Sequence, residues 1–139
     1  MPQQAPKAQT LTRRKLRILV VDDNPDSVTT LSAVLRDEGH EVRSAYDGEQ
    51  ALAVAREFQP EAVLLDIAMP GGVSGWEVAR QIRKASGDAS RPFIIAISAK
   101  YRQSPEKMAI CNHFLTKPYD PNFVLALLLP LTSFPAQAR

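Results

Sequence analysis

Residues Arg17–Ser27 read RILVVDDNPDS, in which four apolar residues run straight into two adjacent aspartates. The apolar run is the signature of a buried strand, and its ending is the puzzle. Neighbouring carboxylates raise each other's pKa and repel any anion. A solvated turn would tolerate such a pair, so Asp22 and Asp23 carry meaning only if other residues join them.

Outward from this stretch, short apolar runs alternate with helical patterns. PDSVTTLSAVLRDEG places Val28, Leu31, Val34 and Leu35 on one helical face, with Pro25 at the first helical position and Gly39 at the stop. EVRSA is a half-polar strand suited to a sheet edge, and DGEQALAVAREFQ is a helix ending before Pro60. EAVLLDI is a second apolar run that terminates on an acid, Asp66. After the PGGVSG loop, GWEVARQIRKAS predicts a helix with Val78, Ala79 and Ile82 inward. RPFIIAIS is apolar along its length, as a strand covered on both faces would be. SPEKMAI predicts a short helix, HFLTK a fifth strand and DPNFVLALLL a last helix, with Pro130 and Pro135 closing the chain. Such alternation implies a parallel sheet with right-handed crossovers and helices on both faces.

Composition narrows the function classes. At 139 residues the chain is one ordinary domain, with residues 1–15 as a flexible basic leader, 16–130 as the domain and 131–139 as a short tail. The leader and the first strand residue hold Lys7, Arg13, Arg14, Lys15 and Arg17; the remaining 12 basic residues face 15 acidic ones. The leader is short and lacks aromatics, so direct DNA binding is not expected. No apolar run approaches a membrane span, and the single cysteine, Cys111, cannot form an internal disulfide. Cytoplasmic location and no membrane contact are the expectation. Cys111 reads as a small buried hydrophobe, His40 and His113 as surface or strand-edge residues, and Trp76 as packing or partly exposed.

In open α/β sheets, ligands bind beyond the carboxyl ends of the strands. There the apolar runs stop on Asp22 and Asp23, on Asp66, on Ser98 and on Lys117. Three acids, a hydroxyl and a lysine thus converge on one rim. No G-x-G-x-x-G or G-K-[ST] motif supplies a phosphate nest, so the carboxylates would repel phosphate unless a cation intervened. A hard, oxygen-seeking ion such as Mg²⁺ suits them. Asp66 is then a ligand only or a nucleophile as well, and the neighbouring lysine and hydroxyl favour the second role.

The motifs VVDDN, VLLDIAMP, AISA and FLTKPY, in this order and strand context, resemble those of response-regulator receiver domains of two-component signalling. The resemblance spans residue 16 to about residue 130. It implies a (βα)5 flavodoxin-like, doubly wound α/β fold with strand order 2-1-3-4-5. It implies Asp66 as phospho-acceptor, and Asp22 and Asp23 as the acidic pair for Mg²⁺. Asp23 and Asp66 would bind the ion directly, Asp22 largely through water, and Ala68 through its backbone carbonyl. Ser98 and Lys117 would contact the phosphoryl group, Ser98 and Phe114 would form the switch, and Pro118 fits a cis-proline position. Ala68 and Lys100 fall where the family tunes the lifetime of the phosphorylated form.

The implied function is that of a single-domain regulator, not an enzyme, phosphorylated by a histidine kinase or histidine phosphotransfer protein. Signalling would be by protein–protein contact, as a monomer or weak homodimer. A phosphorelay intermediate and a phosphate-independent scaffold are the alternatives; a phosphatase lacks the D-x-D-x-[TV] pattern after strand 1. Two spacings differ from the family pattern. The loop after Pro70 is one residue longer, and the stretch from Ser98 to Phe114 is about three residues shorter, which predicts a truncated or irregular fourth helix.

Overall fold

The computed structural model describes residues 14–69, 71–87, 91–99 and 105–132; most of the basic leader, Pro70, Lys100 and Pro135 lie outside the described residues. Among the described residues, five strands alternate with five helices: β1 Arg17–Val21, α1 Pro25–Asp37, β2 Glu41–Ala45, α2 Gly48–Phe58, β3 Ala62–Asp66, α3 Gly75–Ser86, β4 Phe93–Ser98, α4 Pro105–Ile110, β5 His113–Thr116 and α5 Pro121–Thr132. All strand pairings are parallel, in the order β2-β1-β3-β4-β5. The half-polar EVRSA is indeed an edge strand.

The three inner strands are buried on both sides because alternate side chains enter two separate cores. Ile18, Val20, Leu64, Ile95 and Ile97 meet Val28, Leu31 and Leu35 of α1 and Val124 and Leu128 of α5. Leu19, Val21, Val63, Leu65, Ile94 and Ala96 face the other way, on to Ala51 of α2 and Val78, Ala79 and Ile82 of α3. Cys111 is buried here too, and burial pushes its thiol up to about 12, so it behaves as a small hydrophobe.

Helix boundaries follow local chemistry. The Asn24 side chain accepts from the Asp26 and Ser27 amides, Asp47 from Gln50 and Ser74 from Glu77, each satisfying orphan donors at a helix start. Gly39 (φ 96°) and Gly87 (φ 67°) take the left-handed conformation that ends α1 and α3. α4 has only six residues, in line with the short spacing before Phe114.

One expectation is corrected. α5 does not stop at Pro130 but runs through it to Thr132. Losing one N–H near the helix end is outweighed by packing, because Leu128 and Thr132 are buried and Leu131 lies against the core. The carbonyl of Thr132 also accepts from the Arg14 amide at 2.9 Å, and the Arg14 guanidinium pairs with Glu61.

His40 has a role that its sequence context hides. Its Nδ1 accepts the Leu16 amide proton at 3.0 Å, fixing the entry to β1. Burial lowers its pKa, opposed more weakly by Glu38 and Glu61, so the bonded ring is neutral. The unfolded chain takes up this proton near pH 6.5 and the folded chain only at lower pH, so stability is full above that value and falls on acidification. Thermal midpoints should therefore drop as pH falls below about 6.5. His40→Asn, whose side chain does not titrate there, should flatten that slope; an unchanged slope would assign it to other groups.

Candidate functional site

The carboxyl ends of β1 and β3 bring three acids together. Asp22 follows β1, held by its amide on the Ala45 carbonyl at 3.1 Å, while Asp66 is the last residue of β3. Both are buried, at 5% and 4% exposure, and Asp23 is exposed. One carboxylate oxygen from each of Asp22, Asp23 and Asp66 lies within 4.8 Å of the others.

The strand tops on the other side are tied in by backbone bonds. The Ile67 amide donates to the Ile97 carbonyl and the Lys117 amide to the Ser98 carbonyl, each at 2.9 Å. Lys117, one residue beyond β5 and joined to Pro118 by a cis peptide bond, extends its Nζ between two acids. It stands 3.2 Å from Asp22 Oδ2 and 3.2 Å from Asp66 Oδ2. Asn24 and Ala68 amides donate to the remaining oxygens, Asp22 Oδ1 and Asp66 Oδ1, at 3.0 Å each.

The electrostatics are unbalanced in a definite sense. Burial raises the Asp66 pKa, the Asp22 carboxylate raises it further, and the Lys117 ammonium and the Ala68 amide offset this only in part. Burial alone would lower Lys117, but Asp66 and Asp22 outweigh it and hold the ammonium charged. Three carboxylates beside one ammonium leave two negative charges uncompensated, and the donors are all oxygens. That donor set fits a hard divalent cation. Softer metals prefer nitrogen or sulfur, of which this trio offers none.

Of the described site residues predicted from the sequence, all but Phe114 lie on or next to this rim, though not all in the same way. Asp22, Asp23, Asp66 and Lys117 converge directly. Ser98 ends β4 beside Lys117, and Ala68 is turned by its amide toward Asp66. Phe114 lies apart from the acids, half-buried on the α3 side of the sheet, with its ring 6.0 Å from that of Trp76. An open groove of about 600 Å³ adjoins Lys117, lined by Asp26, Thr30 and Leu31 of α1 and by Pro118 and Tyr119.

Gly75 is a site residue that pattern reading passes over. A Cβ there would stand 2.6 Å from the Asp66 carbonyl oxygen and 2.6 Å from Ile67 Cα, so α3 begins directly against the backbone of Asp66. Its only sequence signal is a glycine at a helix start, which has many causes. Because the obstacle is backbone, Gly75→Ala should destabilise by about 1–3 kcal/mol in chemical denaturation. Gly72→Ala, with nothing within 4 Å of the added carbon, is the control.

Comparison with known proteins places these features in context. A model of the response regulator receiver domain matches residues 18–128. The chain is 37% identical over 112 residues to Protein PilH of Pseudomonas aeruginosa, covering 78% of this chain and 91% of PilH. It is 36% identical over 113 residues to the DNA-binding response regulator MtrA of Mycolicibacterium smegmatis, covering 79% of this chain and 47% of MtrA. It thus spans about half the length of that relative. Among solved structures, response regulator TrrA of Thermotoga maritima in complex with Mg²⁺–BeF superposes with a TM-score of 0.73 and 35% identity, covering 85% of this chain and 99% of TrrA. Chemotaxis protein CheY4 of Vibrio cholerae superposes with a TM-score of 0.71 and 29% identity, covering 83% of this chain and 97% of that one.

Proposed function

Because the chain belongs to the response regulator receiver domain family, we propose that Asp66 accepts a phosphoryl group from a phosphohistidine and that the modified protein signals through protein–protein contact. The observation that carries this reading is the Lys117 ammonium, set 3.2 Å from both Asp22 and Asp66 beside a third carboxylate.

In the transfer, a carboxylate oxygen of Asp66 attacks phosphorus in line. The phosphorus–nitrogen bond of the donor breaks, and the imidazole leaves with the electron pair and takes up a proton. Lys117 turns from the Asp66 carboxylate to the phosphoryl oxygens, and the Ser98 hydroxyl donates to another. Asp66 Oδ1 accepts from the Ala68 amide and Oδ2 from the Lys117 ammonium, so Oδ2 is the oxygen released when Lys117 turns to the phosphoryl group. Asp22, Asp23, Asp66 and the Ala68 carbonyl would hold Mg²⁺. The bound ion supplies charge neutralisation, allowing a phosphoryl group to approach three acids. A phosphohistidine of a histidine kinase or histidine phosphotransfer protein would approach along the groove between α1 and Tyr119, which adjoins Lys117.

Acetyl phosphate with Mg²⁺ should label the chain, and EDTA should prevent it. Labelling that ignored EDTA would remove the metal from this account. Back-transfer from the labelled chain to a histidine phosphotransfer protein would assign it as a relay intermediate; hydrolysis alone would assign it as a terminal switch. Among the described residues no helix is long and apolar enough to cross a membrane.

A further inference from the structure

The first turn of α3 touches the acceptor strand on one side and the β5 aromatic on the other. Gly75 leaves no space between the helix and the Asp66–Ile67 backbone, where an added Cβ would meet two backbone atoms at 2.6 Å. The next residue, Trp76, packs its ring against Phe114 at 6.0 Å between centroids and 49° between planes. The opposite end of α3 is pinned. Arg83 donates to the carbonyls of Ile110 and Pro92 and to Asn112 Oδ1, immediately before β5.

Given the reading of Asp66 as acceptor, we infer that Trp76 is a positioning residue for Phe114. The contact chain Asp66–Ile67 backbone, Gly75, Trp76, Phe114 carries the acceptor's state to the aromatic by a route that does not pass through Ser98. The physical basis is close packing. A backbone shift at Asp66–Ile67 cannot be absorbed in a gap at Gly75, because there is none. It displaces the first turn of a helix whose last turn Arg83 holds, so the helix tilts about that end. The indole is the side chain that meets Phe114 when it does. A helix is a stiff element, and coupling through packed elements of this kind is testable as an energy shared between sites.

The chain contains one tryptophan, so its emission reports Trp76 alone. Beryllofluoride with Mg²⁺ serves as the phosphoryl mimic, with fluorine NMR measuring its occupancy independently. At saturating occupancy, Trp76 emission should change in the wild type, in Ser98→Ala and in Phe114→Leu, because the indole lies upstream of the aromatic on this route. The Phe114 ring itself, followed by fluorine NMR of fluorophenylalanine-labelled protein, should shift in the wild type but not in Trp76→Leu, and Trp76→Phe, which retains a ring, should restore the shift. Loss of the response in Ser98→Ala at full occupancy would overturn the inference. So would its loss in Phe114→Leu, since the indole would then follow the aromatic, or a shift of the Phe114 ring that survived in Trp76→Leu. Bound fluoride with silent Trp76 refutes the route but leaves Asp66 as acceptor; absence of bound fluoride refutes both.

Discussion

Asp66→Asn is expected to abolish labelling by acetyl phosphate, by at least about 10³-fold, as removal of a nucleophile does. The same substitution should raise the thermal midpoint of the metal-free protein. The two effects have one origin. Asp66 is 4% exposed and close to Asp22, and burial and that like charge favour its neutral form more than Lys117 favours the charged one. A group whose folded pKa is raised costs stability wherever it is ionised, and that cost disappears only as pH falls through the raised value. An amide of the same shape removes the cost at neutral pH. As the proposed acceptor, Asp66 is thus a residue at which function and stability oppose each other. A midpoint that fell in Asp66→Asn would mean that the Lys117 contact dominates. Labelling that persisted would move the acceptor elsewhere, with Asp22 and Asp23 as the nearest carboxylates.

The architecture and the acid cluster were legible because each rests on a local pattern. Strand runs such as Phe93–Ser98 are apolar throughout because both faces are covered, and α3 begins after Ser74 and ends before Gly87, as capping chemistry requires. Asp22, Asp23 and Asp66 share a rim because parallel strands all end on the same side, so topology alone brings them together. What the pattern could not carry is pairing at a distance. Arg14 reads as part of a basic leader, yet Glu61 and the Thr132 carbonyl hold it; neither partner is near it in sequence. His40 reads as a surface or strand-edge residue, and it does precede the edge strand, but its bond to the Leu16 amide is not visible in the sequence. Pro130 reads as a stop because local propensity is all that sequence offers, while the core beneath Leu128 decides the outcome. The contact of Gly75 with the Asp66 backbone, and of Trp76 with Phe114, exists only once α3 has been laid on the sheet.

Asp23 separates metal binding from folding. Lys117 bonds to Asp22 and Asp66, so these two acids already have a counter-charge in the folded protein, whereas Asp23 is exposed and outside both bonds. Removing an exposed carboxylate should change metal-free stability by no more than about 0.5 kcal/mol. Removing one of the three carboxylates proposed to hold Mg²⁺ should sharply reduce affinity for it. At a Mg²⁺ concentration 100 times its dissociation constant, binding to the folded state alone stabilises by about 2.7 kcal/mol. For a domain of this size that is a midpoint gain of roughly 10 °C. Asp23→Ala should keep the metal-free midpoint and lose most of that gain. Asp26→Ala, which removes an exposed acid of α1 that is outside the trio, should keep both. Equal gains in Asp23→Ala and Asp26→Ala would reduce the Mg²⁺ effect to screening of surface charge. A gain lost only with Asp23 identifies the second aspartate of the opening pair as the solvent-side ligand of a metal site, whose buried half is Asp22 and Asp66.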